Sequence, residues 1–368
     1  MSGATTMTRT PRRRSRQLGT VAAAGAIIGS AALLASGCGS SPADTPAAIA
    51  TAETARPGTS AGPEDATTAT AAPTPSVAEG ARPSAGCREV GATAATTAPS
   101  TEGTALVAEG PAHETIDVDG TSRRYDITFP TAPSAITSPA PLVLAFHGFS
   151  HNAAIFEELT NMAERGTAAG NVVVLPDGVG TPQTWEYSGT GKDGVFVEAL
   201  IDHVAATNCI DLARVFLSGF SAGSAFTVGY ACSHQDQVAA IATVAAEFVL
   251  GCAEPMSIVA FHGTNDPLVP YEDGAIGRSL PGVKVRGTEL NIVDWANLAT
   301  CGEPAKTAVG TRVTHWVFAG CTDAEVELFS IERGGHTWPG TGDIENEDRT
   351  QEVDATDEAL AFFARQRR

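Results

Sequence analysis

Arg214-Val215-Phe216-Leu217-Ser218-Gly219-Phe220-Ser221-Ala222-Gly223 is the stretch whose reading decides the fold. A short apolar run passes into Gly-x-Ser-x-Gly, and a helix-like pattern follows from Ser221 to Ser233. Strand, tight turn and helix in that order form a nucleophile elbow, which holds a serine in a strained backbone with its hydroxyl exposed. A serine hydroxyl is a weak nucleophile by itself. It needs a base to take its proton and a third group to orient that base.

Reading outward from the elbow, Leu142–Phe146, Asn171–Leu175, Val238–Ala245 and Ser257–Phe261 are continuous apolar runs. Parallel strands covered on both faces read this way, whereas half-exposed strands alternate. Helical patterns over Ala153–Ala169 and Val195–Ala206 lie between them. Alternating strands and helices predict an α/β protein with a mostly parallel, doubly wound sheet and helices on both faces. Later strands are expected at Thr314–Phe318 and Val326–Ile331, and a last helix over Val353–Arg365. Asp119-Gly120 sits between alternating segments, Glu114–Val118 and Arg124–Phe129, which predicts an N-terminal β-hairpin.

Two further loops complete a catalytic set. The run Ser257–Phe261 ends in His262-Gly263-Thr264-Asn265-Asp266, which puts a carboxylate beyond the C-terminal end of a strand, where α/β sites are built. The run Val326–Ile331 leads to Gly334-Gly335-His336-Thr337-Trp338-Pro339-Gly340, a histidine in a glycine-rich loop. The order Ser221, Asp266, His336 is that of α/β-hydrolases. His336 would be the general base and Asp266 its orienting acid. Asp294 and Asp323 are rival acids, but neither follows a buried strand, and Asp193 and Asp202 read as capping or surface groups. An oxyanion hole needs two backbone N–H groups. Ala222, at the start of the elbow helix, would give one, and Phe149, in the loop His147-Gly148-Phe149-Ser150-His151-Asn152, the other. The glycine at 148 is read as supplying backbone freedom. His147 is read as a structural residue beneath the hole. Trp185 and Trp338 are candidate pocket walls. His147 and His151 lie four residues apart with no third ligand nearby, so neither a metal nor another cofactor is expected.

With Pro141–Gly148, Pro176-Asp177-Gly178, Trp185, the elbow, His262–Tyr271 and Gly334–Gly340 in order, residues 115–363 resemble a known group. It is the polyhydroxybutyrate depolymerase and feruloyl esterase family of α/β-hydrolases (carbohydrate esterase family 1), and within it the LpqC-type lipoproteins. The resemblance implies a serine esterase with Ser221, Asp266 and His336 as its triad. One departure is that Ser224 follows Gly223 where many members have a second glycine, which should crowd the helix–strand contact slightly.

The N-terminus bears on location. Arg9, Arg12, Arg13, Arg14 and Arg16 precede an uncharged apolar run, Val21–Leu34, too short to span a bilayer comfortably. Leu33-Leu34-Ala35-Ser36-Gly37-Cys38 resembles a bacterial lipobox, which predicts a signal peptide over 1–37 and a lipid on Cys38. The arginine cluster hints at twin-arginine export as well as the general route. From 38 to 111 the chain is rich in Ala, Thr, Pro, Ser and Gly, and no aromatic residue precedes Tyr125. Such a composition buries too little apolar surface to fold, so it reads as a disordered spacer before a catalytic domain over 112–368. The net charge is −19, and removing residues 1–37 takes away five arginines and no acid, leaving −24. That excess speaks against nucleic acid and against electrostatic binding to anionic lipid. Cys87, Cys209, Cys232, Cys252, Cys301 and Cys321 remain after Cys38, an even number that suggests disulfides in an exported protein. Spacing favours Cys301–Cys321, then Cys232–Cys252, and leaves Cys87–Cys209 by elimination.

Together these features predict a monomeric, secreted or lipid-anchored esterase on the outer side of a bacterial cell membrane. Its substrate would be a small ester or an esterified saccharide, because nothing in the chain reads as an apolar domain for gripping solid polyester. The rival reading is a non-catalytic glycan-binding lipoprotein on the same scaffold.

Overall fold

The computed structural model describes residues 80–87, 111–130, 138–276, 283–342 and 348–368, all within one compact unit, Thr70–Arg368. The signal peptide, Cys38 and most of the spacer lie outside these residues.

The strands are β1 (Ala112–Val118), β2 (Thr121–Thr128), β3 (Ala140–Phe146), β4 (Val172–Pro176), β5 (Val179–Gly180), β6 (Gln183–Thr184), β7 (Ile210–Phe220), β8 (Ala240–Val244), β9 (Ser257–Gly263), β10 (Gly274–Ala275), β11 (Lys284–Val285), β12 (Pro304–Val309), β13 (Val313–Phe318) and β14 (Val326–Ile331). The helices are α1 (Ala153–Thr160), α2 (Met162–Ala168), α3 (Lys192–Thr207), α4 (Ala222–Ser233), α5 (Thr288–Leu298) and α6 (Ala355–Ala364). Among the described residues, ten strands form one sheet in the order β1-β2-β4-β3-β7-β8-β9-β14-β13-β12. The run from β4 to β14 is parallel throughout. Both margins are antiparallel: β1 and β2 at one end, β13 and β12 at the other.

Alternation along β3 shows how the two faces are covered. Leu142, Leu144 and Phe146 join a core with Phe196 and Leu200 of α3, Phe226 of α4 and Trp295 of α5. Val143 and Ala145 point the other way, to Phe156 of α1, Met162 of α2 and Phe362 and Phe363 of α6. Because period two assigns successive side chains to opposite faces, three helices cover each side of the sheet. This is the doubly wound α/β architecture expected from the apolar runs. No helix among the described residues is long and apolar enough to cross a membrane.

Three local features differ from the sequence reading. The single helix expected over Ala153–Ala169 is two, broken at Asn161 with φ 49° and ψ 31°. Asparagine tolerates this left-handed conformation, and Glu157 reaches across the break to accept the Ala163 and Glu164 N–H groups. A further edge strand, β12, is mostly exposed. The third feature corrects the spacer. Residues 80–87, inside the stretch read as disordered, are docked on the domain. Pro83 bridges Asp211, Ser84 is buried and its hydroxyl donates to Asn208 O, and Cys87 is bonded to Cys209. Composition misses this segment because a disulfide and a few backbone hydrogen bonds, not apolar burial, hold it. Cys232–Cys252 and Cys301–Cys321 are the other two disulfides.

Candidate active site

Ser221 stands between β7, near the middle of the sheet, and α4. Its φ of 54° and ψ of −113° are rare for a residue with a side chain, and the surroundings enforce them. Its N–H donates to Val244 O at 2.9 Å, and its carbonyl accepts from Ala225 N–H at 3.0 Å. Both elbow glycines are required by space. A β-carbon on Gly219 would stand 2.4 Å from Gly223 O, and one on Gly223 would stand 2.1 Å from Phe146 O. The crowding expected at Ser224 does not arise. Its hydroxyl is buried and donates to Ala246 O at 2.6 Å, which ties the elbow helix to the loop after β8.

Asp266 follows β9 and is held from both sides. Leu268 and Val269 N–H donate to its Oδ1 at 2.8 and 2.9 Å. Its Oδ2 lies 2.7 Å from His336 Nδ1. Burial would raise the Asp266 pKa, but the hydrogen bonds and charges of His262 and His336 outweigh it and hold the carboxyl well below its usual range. Gly263 lets the acid loop and the base loop pass each other, since a β-carbon there would lie 2.2 Å from Gly334 O. His336 packs against Phe220, with ring centroids 5.0 Å apart. Of the rival acids, Asp294, on α5, is ion-paired to Arg286 just ahead of that helix, and Asp323 sits in the turn before β14.

The loop after β3 carries the oxyanion candidates. Gly148 has an ordinary φ. It is needed because a β-carbon would stand 2.9 Å from the Phe220 ring, so space rather than conformational freedom selects glycine here. His147 is fully buried. Its Nδ1 donates to Gly148 O at 2.8 Å and its Nε2 accepts from Gly178 N–H at 2.9 Å. One donor and one acceptor fix a single neutral tautomer, and burial lowers its pKa. With both nitrogens used, His147 is not free to chelate a metal with His151.

Ser221, Ala222, Phe149, His151 and His336 all line one open cavity of 1290 Å³. Trp185 and Trp338 also reach it, but as buried residues. The Trp185 N–H donates to His147 O and the Trp338 N–H to Thr356 Oγ1, so both indoles are anchored to the protein. The exposed side chains around the cavity are largely apolar, with Lys284 and Arg286 as exposed cations on the same rim. Phe149, Tyr187, Leu250, Leu268 and Val283 are each more than a third exposed and all line it. His151 Nδ1 is buried with no hydrogen-bond partner.

An elbow serine at the end of a central parallel strand, with an Asp–His pair on the following loops, defines the α/β-hydrolase class. An acetyl xylan esterase from Aspergillus awamori shares this fold, with a TM-score of 0.50 and 14% identity over 69% of this chain and 99% of that one. No family model matches the chain. Among curated proteins, a feruloyl esterase B of Piromyces equi is 30% identical over 55% of this chain, and a feruloyl esterase D of Neurospora crassa is 28% identical over 60%. This chain spans 41% of the first relative and 76% of the second. The chain therefore has the α/β-hydrolase fold and is similar in sequence to feruloyl esterases.

Proposed function

We propose that the protein is a secreted serine esterase that cleaves carboxylic esters through an acyl-enzyme. The observation that carries the reading is the convergence of Ser221 and His336 on one cavity, with His336 Nδ1 2.7 Å from a buried Asp266 carboxylate. With Nδ1 engaged, Nε2 is the atom left to take the Ser221 proton. The serine oxygen attacks the ester carbonyl, and the negative oxygen that forms is met by the Phe149 and Ala222 N–H groups. No backbone group among the described residues takes the Phe149 N–H, and the first N–H groups of a helix have no partner within it. His336 then returns its proton to the leaving alcohol. A second cycle, with water as nucleophile, frees the acid and restores Ser221.

The substrate class follows from the cavity. Its exposed apolar wall suits an ester with an apolar or aromatic acyl group, and its openness leaves room for a sugar on the alcohol side. Location is part of the same proposal. Three disulfides suit an oxidising compartment, and the lipobox-like end at Cys38 would add a lipid anchor to the exported chain.

A fluorophosphonate probe should label wild type and not Ser221→Ala, and equal labelling of both would sink the triad. Acetyl, butyryl and hydroxycinnamoyl esters should then rank the acyl groups. Changing Cys38→Ser should move the protein from the membrane fraction to the medium, and an unchanged distribution would refute the anchor.

A further inference from the structure

Asp266 has a second histidine. His262, the sixth residue of β9, is buried, and its ring is surrounded by hydrogen-bond acceptors. Its Nδ1 lies 2.8 Å from Glu247 Oε2 and 2.9 Å from Thr288 Oγ1. Its Nε2 lies 3.0 Å from Val269 O and 3.4 Å from Asp266 Oδ2. A carbonyl only accepts, so Nε2 carries a hydrogen. An ionised carboxylate only accepts, so Nδ1 carries one too.

We infer that Glu247 and His262 form a buried positioning pair for the triad: His262 remains an imidazolium whose charge lies beside Asp266 and offsets part of that carboxylate's pull on His336. The inference rests on the Ser221–His336–Asp266 reading and extends it by one shell.

Charge and packing support the assignment. Burial disfavours a charge on His262, but Glu247 and Asp266 outweigh it and push its pKa up to about 10. The groups facing the ring are Glu247 from the loop after β8, Asp266 from its own loop and Thr288 from the start of α5. The Tyr271 ring meets it edge-on, with centroids 5.7 Å apart. The Tyr271 hydroxyl in turn is bonded to Ser330 and Glu289, and no cation is among these neighbours. Glu247 is buried, and its loop is pinned by the Trp295 N–H on Glu247 O at 2.8 Å. Asp266 therefore spends Oδ1 on two backbone donors and sets Oδ2 between a hydrogen bond from His336 and an ion-pair contact with His262 at 3.4 Å. No proton has to pass through His262 during turnover. Its effect is electrostatic: the His262 charge opposes that of Asp266 at the His336 ring.

The test uses the full chain and the double variant Glu247→Gln/His262→Gln, which removes both charges of the pair together and keeps the Asp266 bonds to Leu268, Val269 and His336. The acid limb of kcat/KM for p-nitrophenyl acetate should move up by about one pH unit. A limb that coincides with that of wild type, or moves down, overturns the inference. Fluorophosphonate labelling of the same samples separates the two readings. Labelling of Ser221→Ala would sink the triad, whereas an unmoved acid limb with normal labelling sinks only the pair. Histidine nitrogen NMR on wild type decides the matter if the double variant does not fold. His262 should show two N–H protons and no titration between about pH 5.5 and 8.5, and a neutral ring in that range would overturn the assignment.

Discussion

Two histidines close parallel strands on either side of the elbow strand, and both are followed by glycine: His147-Gly148 after β3 and His262-Gly263 in β9. Both are buried. Their chemistry is opposite. His147 meets one acceptor and one donor, and burial lowers its pKa. His262 meets carboxylates on both sides, and its pKa rises to about 10 despite burial. Burial alone therefore does not set the charge of a core histidine. The donors and acceptors that meet each nitrogen do. The result is a candidate active site with a neutral side at the loop after β3 and a charged side at the Asp266 loop.

The largest break of this contrast falls on the acid side. Asp266→Asn keeps the shape but offers the wrong hydrogen-bond pattern to His336, so kcat should fall by about 10⁴-fold, while His262 keeps Glu247. Steady-state kinetics showing less than a tenfold loss would remove Asp266 from the triad. Next comes the neutral side. Gly223→Ala drives a β-carbon into Phe146 O and His147 O, which should displace the elbow and cost roughly 100-fold in kcat. Retention of wild-type turnover would show that the elbow tolerates the shift.

A smaller effect is expected at His147→Leu. It leaves the buried Gly178 N–H without an acceptor, at about 1–3 kcal/mol of stability by urea denaturation. Its acid limb in kcat/KM should stay at the wild-type pH, unlike that of the Glu247→Gln/His262→Gln variant. A shifted limb would mean that His147 carries charge after all. The smallest effect is the pH dependence of the melting temperature, where the two histidines act with opposite signs. The folded pKa of His147 is depressed, so its contribution is present above about pH 6.5 and is lost as pH falls. The folded pKa of His262 is raised, so its contribution is complete below about pH 6.5 and is lost as pH rises towards 10. Each variant should flatten one limb, by a few degrees at most. The same limb flattening in both would refute the contrast.

Much of this was legible in the sequence because its signals are local. β14 spans Val326–Ile331, as the apolar run indicated. The elbow, the Asp266 loop and the His336 loop announce themselves because strand, glycine and reactive residue are adjacent in the chain. What was not legible depends on distant partners. Glu247 carries no motif, and it meets His262 only because the loop after β8 folds over the end of β9. Trp185 and Trp338 could be named as pocket candidates, but only their indole partners show that they are anchored in the core. Helix α5 was given no range because Asn291, Asp294 and Asn297 dilute its apolar content, although Ile292, Trp295 and Ala296 share one buried face. Residues 80–87 read as spacer because composition counts apolar atoms, although the Cys87–Cys209 pairing already pinned the end of that spacer to the domain.

That short segment has a mechanical consequence. Cys87 and Cys209 are covalently joined across 122 residues, and β1 to β6 with α1 to α3 all lie between them in the chain. A pull on the chain ahead of residue 80 therefore bypasses those elements. The load enters the domain next to β7, the strand that presents Ser221, where hydrogen bonds to β3 and β8 on both sides resist in shear. The edge hairpin, which would peel first in an uncrosslinked chain, is left out of the load path.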